Sequence, residues 1–184
     1  MLRAELGFYL GCVNLRNKLA RRDMPVCFPV AHPSGERWLR FCGLYDASLA
    51  LRLEQPPVSN DANANGKDLV VVTGANQGGK STFLRGVGIA QILMQAGVFV
   101  SATELEALLE HRVKVFLVTH LYSLARGLFE ETSFAALFLR AGRREDGVRT
   151  FRLIEAGPLQ TSFGQDLYRQ IFGVDQAPGK DTPQ

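Results

Sequence analysis

The run Leu69, Val70, Val71, Val72, Thr73, followed at once by GANQGGKST from Gly74 to Thr82, constrains this chain more than any other feature. A continuous apolar run is what a parallel strand covered on both faces requires. Behind the glycines, Ser81 to Ala96 has the length and apolar content of a helix. Gly74 to Ser81 fits GxxxxGK[ST], with a strand pattern before it and a helix pattern after it, the setting in which those letters signal a phosphate-binding loop.

The residue types follow from the chemistry. Phosphate oxygens must meet several backbone N–H groups at close range, and a loop poor in side chains at a helix N-terminus supplies them. Gly74, Gly78 and Gly79 leave the room, and Ala75, Asn76 and Gln77 complete the cradle. Lys80 is expected to bring its charge to the β- and γ-phosphates, Ser81 to place its hydroxyl on Mg²⁺, and Thr82 to reach the α-phosphate side. The implied ligands are ATP and magnesium. An ordinary strand-to-helix turn would use the glycines but has no need of the lysine and the hydroxyl.

The rest of the chain reads as a frame for this loop. At 184 residues and 46% hydrophobic composition it can bury a core as one main domain. A formal net charge of +3 does not by itself announce a partner for nucleic acid or for a membrane surface. Cys12, Cys27 and Cys42 lie far apart without metal-ligand spacing, which suggests reduced thiols and a cytoplasmic location. Gly86 to Val100 is the most membrane-like stretch, and it falls short of the roughly 20 residues a span needs.

Leu2 to Leu19 predicts an amphipathic helix with a basic end, Pro25 to Leu53 irregular strands and loops, and Gln55 to Lys67 the clearest loop in the chain. Val113 to Val118 predicts a second strand ending at Thr119 and His120, with a helix starting near Tyr122. Ala135 to Leu139 and Val148 to Glu155 flank a polar turn and predict a β-hairpin, and a short helix is expected around Gln165 to Phe172. Arg140, Arg143, Arg144 and Arg149 gather about that hairpin and read as a solvated charged turn. The expected organisation is a helix over 1–24, an α/β domain over 25–174 and a disordered tail over 175–184.

From Thr73 to Arg85 the sequence TGANQGGKSTFLR resembles the MutS family of mismatch-repair ATPases, whose loop reads TGPNMGGKST followed by an aromatic residue, Leu and Arg. VSND from Val58, FLVTH from Phe116 to His120 and TSFG from Thr161 to Gly164 are similar to further family segments. Ala75, Gln77 and GVFV from Gly97 look more like the smaller MutS-like ATPase-domain proteins. The likeness covers roughly 55–102 and 108–173. It implies an ABC-type P-loop ATPase with a mainly parallel central sheet flanked by helices, working as a homodimer in mismatch repair or another DNA process. His120 matches the switch histidine that senses the γ-phosphate; without that match, a histidine after a strand is an ordinary surface or structural residue.

The family pattern also includes a signature loop and a Walker B strand ending in an acid, for which Thr103 to Arg112 is too short. Those ten residues, rich in Glu, Ala and Leu, predict one short helix carrying Glu104, Glu106 and Glu110, and no catalytic base can be named. Either a segment is absent between Ala102 and Thr103 or catalysis has been lost. The family's DNA-gripping domains have no counterpart here, so DNA would be met only through the intact architecture or partners. The main reading is an ATP-hydrolysing MutS-like domain; the alternative is a nucleotide-gated interaction module that binds ATP without turnover. A transporter ATPase or a P-loop kinase fits the loop less well.

Overall fold

A computed structural model describes residues 2–33, 36–75, 77–108, 114–131, 135–144 and 147–159. Asn76, Glu110, TSFG from Thr161, the helix expected near Gln165 and the tail lie outside the described residues. The described chain is α/β, with helices α1 (Leu2–Ala20), α2 (Ala47–Ala50), α3 (Lys80–Gln95) and α4 (Tyr122–Glu130). Its strands are β1 (Val30–His32), β2 (Leu39–Leu44), β3 (Asn60–Asn63), β4 (Leu69–Thr73), β5 (Glu104–Leu108), β6 (Val115–Val118), β7 (Ala136–Arg143) and β8 (Arg149–Glu155).

The expected parallel core forms around β4. It runs parallel to β6 on one side and to β7 on the other, and β8 pairs antiparallel with β7 as the expected hairpin. Val70, Val71 and Val72 are fully buried, and removing each such side chain from water is worth roughly 1.5–3 kcal/mol. This explains why the run carries no alternation: both faces are covered. Phe83, Ala90 and Met94 of α3 share one core with Phe41 of β2, Leu105 of β5 and Leu139 of β7.

Two expectations are corrected. A second sheet, in the order β1-β5-β2-β3, gathers two strands from the stretch read as irregular strands and loops, β3 from the expected loop and β5 from the expected helix. Its strand β3 is made of Asn60, Asp61, Ala62 and Asn63, poor strand formers that tertiary contacts hold extended. Asp61 Oδ1 accepts the Gly43 N–H at 2.6 Å, and Asn60 Oδ1 accepts the Leu153 N–H at 2.7 Å, which ties this sheet to β8.

The second correction concerns Glu104 and Glu106, which lie on strand β5 and not on a helix. Their composition favours a helix, but their alternation favours a strand: Leu105 and Ala107 are buried, while both glutamates face the other way. Arg40 of β2 meets Glu104 at 3.7 Å and Glu106 at 3.6 Å, so cross-strand ion pairs complete the choice.

Helix α1 is anchored through its C-terminal half. Leu19 is fully buried beside Met24, Tyr45, Ala50 and Phe99, with Cys12 and Leu15 packed on that cluster. Leu6, Tyr9, Leu10 and Val13 stay exposed. Arg22, just beyond the helix, donates to the carbonyls of Ala50 and, at 2.6 Å, Leu53.

Candidate functional site

Residues Gln77 to Thr82 of the glycine-rich loop meet His120 in one cavity of about 970 Å³ at the C-terminal ends of β4 and β6. β6 lies on one side of β4 and β7 on the other, so this is where the strand order reverses, the usual ligand position in an open α/β sheet. Gln77, Gly78, Gly79, Lys80, Ser81 and Thr82 form one wall. Val118 and His120 stand on another, and the loop residues Pro57, Val58 and Asn60 face the same space.

The loop has the backbone its glycines allow. Gly74 has φ +116° and Gly79 φ +90°, both in the region that L side chains rarely adopt. A Cβ at Gly74 would stand 2.7 Å from Ala141 Cβ, and one at Gly78 would stand 2.9 Å from the same atom. Bare backbone is therefore needed for the loop to lie against β7. Gly79 is the N-cap of α3 and supplies no side-chain cap, and the first turn of that helix holds no acidic residue. Its leading N–H groups and the positive end of the helix dipole are left for an anion.

Lys80 is only 8% exposed and donates Nζ to the carbonyls of Gly74 at 2.7 Å and Ala75 at 2.6 Å. These are neutral acceptors, so a charge is held in the loop without a carboxylate partner among the described residues. Burial lowers its pKa from the 10.5 of a free lysine. The folded chain thus holds this proton less tightly than the unfolded chain. Taken alone, Lys80 makes stability rise with pH through its lowered value and level off above 10.5. If the cation receives phosphate, MgATP affinity falls as pH rises through that same value, and Lys80→Arg, whose charge does not titrate there, shows no such fall in calorimetric titrations.

His120 is exposed and follows Thr119, whose N–H donates to Val72 O at 3.1 Å and whose Oγ1 accepts the Leu121 N–H at 3.0 Å. The turn that aims His120 at the cavity is thereby tied to β4 itself. Gln77 has φ +60° and accepts a bond from Arg149 at 3.0 Å through its side-chain oxygen. Phe151, two residues along β8, has φ +57°, and its carbonyl would be 3.2 Å from a Cβ on Gly79. Two non-glycine residues with positive φ thus meet at the loop, where the surroundings enforce a conformation costing about 1–2 kcal/mol each.

Sequence reasoning missed Asp46. Its buried carboxylate caps α2 by accepting the Leu49 N–H at 3.0 Å and pairs with Arg85 of α3, so the arginine of TGANQGGKSTFLR orients the helix behind the loop. An aspartate directly before the Ala47–Ala50 helix is a cap signal that could have been read. Asp46→Ala is expected to lower stability by about 2 kcal/mol, a lost cap plus a charge-assisted bond discounted because Arg85 is half exposed. Urea unfolding would record this as a lower midpoint at unchanged slope.

Of the carboxylates, Asp46 and Glu54 line the cavity, while Glu104 and Glu106 are turned to Arg40 in the other sheet. Among the described residues no group of three or more His, Cys, Asp or Glu side chains could hold a metal ion, and no helix is long and apolar enough to cross a membrane.

Residues 70–109 match the family model of MutS domain V. The DNA mismatch repair protein MutS of a Synechococcus species is 51% identical over 55 residues, 29% of this chain and 6% of that protein. MutS of Chloroflexus aurantiacus is 40% identical over 63 residues, 33% of this chain and 6% of its own length. MutS of Chlorobaculum tepidum is 34% identical over 88 residues, covering 47% of this chain and 10% of its own. The MutS likeness is supported, and the family-model match takes in most of β4, the loop, α3 and β5. In each case the matched stretch spans a tenth or less of the relative.

Proposed function

We propose that this chain is a MutS-like nucleotide-binding module that holds ATP with magnesium in the cavity between the phosphate loop and His120. The observation that carries the reading is the buried, carboxylate-free Lys80 at the mouth of an uncapped helix, facing the same space as His120. Backbone N–H groups of Gly78 to Thr82 receive the phosphate oxygens, Lys80 turns from its loop carbonyls to the β- and γ-phosphates, and Ser81 gives its hydroxyl to Mg²⁺. The glycine cradle, which a Cβ would fill, fits a polyphosphate. His120, which lines the same cavity, senses the γ-phosphate on this reading.

On this reading the module is the P-loop ATPase domain of a MutS-like protein of mismatch repair or related DNA processing, acting in the cytoplasm. Nucleotide state governs contacts between two copies, and DNA is met through the intact architecture. A second reading, binding without turnover, is favoured for the chain as it stands by one observation: the buried cavity carboxylate, Asp46, is committed to Arg85 and the α2 cap.

Steady-state phosphate release from the purified chain, set beside Lys80→Ala, separates the two. Turnover above the variant supports hydrolysis. Turnover equal to the variant, with MgATP still bound, assigns the chain to the second reading.

A further inference from the structure

The β7–β8 hairpin lies against each glycine of the phosphate loop, and it does so at an irregularity in its own pairing. Ala141 pairs with Leu153 and Arg143 with Arg149, so β7 advances from 141 to 143 while β8 covers 149 to 153. The surplus residues of β8 include Phe151 at φ +57°. A bulge of this kind bends its strand and re-aims side chains, and bulges gather beside functional sites. Here the bend presses β8 on the loop. The Phe151 carbonyl stands 3.2 Å from where a Cβ on Gly79 would be, and Ala141 Cβ stands 2.7 and 2.9 Å from the corresponding positions of Gly74 and Gly78.

Arg149 comes from the same bulge. Read from the sequence as part of a solvated charged turn, it is instead partly buried and lines a smaller cavity of about 150 Å³ with Gly74, Ala75 and Gly78. Its Nη1 donates to Gln77 Oε1 at 3.0 Å. Gln77 has φ +60°, a left-handed conformation that is unfavourable for a residue with a Cβ. Such a residue persists where its surroundings over-determine it, and the bond from β8 is one such constraint. Fixing Gln77 fixes the direction in which the chain enters Gly78, Gly79 and the first turn of α3.

We propose that Arg149 is a positioning residue for the phosphate loop, clasping Gln77 so that the loop keeps its left-handed apex and its main-chain amides stand ready for phosphate. The role rests on the nucleotide-binding reading of this same loop, and it requires no contact between Arg149 and the nucleotide. A loop held in its binding conformation spends less free energy on ordering when the ligand arrives. Neither Arg149 nor Gln77 belongs to the hydrophobic core, so removal of the bond loosens the loop and leaves the core intact. A direct pull of the Arg149 charge on phosphate would survive the loss of the Gln77 oxygen; a clasp would not.

Calorimetric titration with MgATP, paired with amide hydrogen exchange across residues 74–82 in the nucleotide-free protein, reads both halves of the proposal. Arg149→Met and Gln77→Met keep an unbranched side chain and remove the bond. Each is expected to weaken MgATP binding by about 3- to 10-fold and to speed loop exchange by a similar factor, at a wild-type melting temperature. The double variant is expected to bind no more weakly than the weaker single one, because both changes remove the same bond. Arg152→Met, at an exposed position on the same strand, is expected to stay within about twofold of wild type. Losses that multiply in the double variant, or an affinity or a loop exchange rate that stays at the wild-type value in both single variants, overturn the clasp and leave the nucleotide reading standing. A wild-type chain that binds no MgATP removes that reading instead; faster loop exchange in both single variants would then describe a clasp with no phosphate to serve, which also overturns the proposal.

Discussion

Lys80→Ala is expected to lower the affinity for MgATP by about 10- to 100-fold, the loss of a charge-assisted contact worth roughly 1.5–3 kcal/mol. Lys80 is nearly buried and its ammonium group rests on two neutral carbonyls, so its charge finds little competition inside the protein. Its removal leaves the Gly74 and Ala75 carbonyls short of a donor, but the strand and helix that carry the loop keep their own hydrogen bonds and core. Far-UV circular dichroism should therefore match wild type while titration calorimetry shows the weakened binding. Equal affinity in the two proteins would remove the lysine from the site.

The second large effect is on the fold. Gly74→Val forces a β-branched residue to φ +116° with its Cβ 2.7 Å from Ala141 Cβ and 3.0 Å from the Ala141 amide nitrogen. Conformational strain of roughly 1–2 kcal/mol and overpacking of roughly 1–3 kcal/mol add to about 2–5 kcal/mol, a large share of a domain's stability. Neither the loop nor β7 can yield, since β4 and β7 are paired from Leu69 and Ala136 through Thr73 and Arg140. Gly88→Ala is the control of opposite sign. Gly88 is in α3 with nothing within 4 Å of a new Cβ, so alanine there is expected to stabilise by up to about 1 kcal/mol. Urea unfolding of the two variants reads both.

The strand, loop and helix from Leu69 to Gln95 are legible in the sequence because three signals agree: an apolar run, a glycine motif and a helical pattern directly behind it. The β7–β8 hairpin is legible for a similar reason, two apolar segments about a polar turn. Strand β5 is not. Glu, Ala and Leu carry helix propensity, and only the arrival of Arg40 from β2 and the burial of Leu105 and Ala107 decide for a strand. Strand β3 is hidden more deeply, since Asn60 and Asp61 act through side-chain bonds to Leu153 and Gly43, residues remote in the chain.

At the site, Gly74 and Ala75 line the smaller neighbouring cavity, and Asn76 lies outside the described residues. The candidate residues Gln77, Gly78, Gly79, Lys80, Ser81, Thr82 and His120, which share one cavity, could each be named from letters alone. Their convergence could not. His120 faces the cavity because Thr119 is bonded to Val72, a product of parallel pairing between β4 and β6. Asp46 orients Arg85 from 39 residues away, and Arg149 reaches Gln77 from 72 residues away. Such partners are set by packing between elements and leave no periodic trace.

Enclosure of a polyphosphate by a loop of main-chain amides backed by Lys80 is read out by thermal unfolding with and without MgATP. At ligand near a hundred times its dissociation constant, binding to the folded state should add about 2.7 kcal/mol and raise Tm by about 5–10 °C, with Lys80→Ala keeping about half of that shift or less at the same concentration. An unchanged Tm at millimolar MgATP, with no heat in a matched calorimetric titration, would show that the loop encloses no nucleotide.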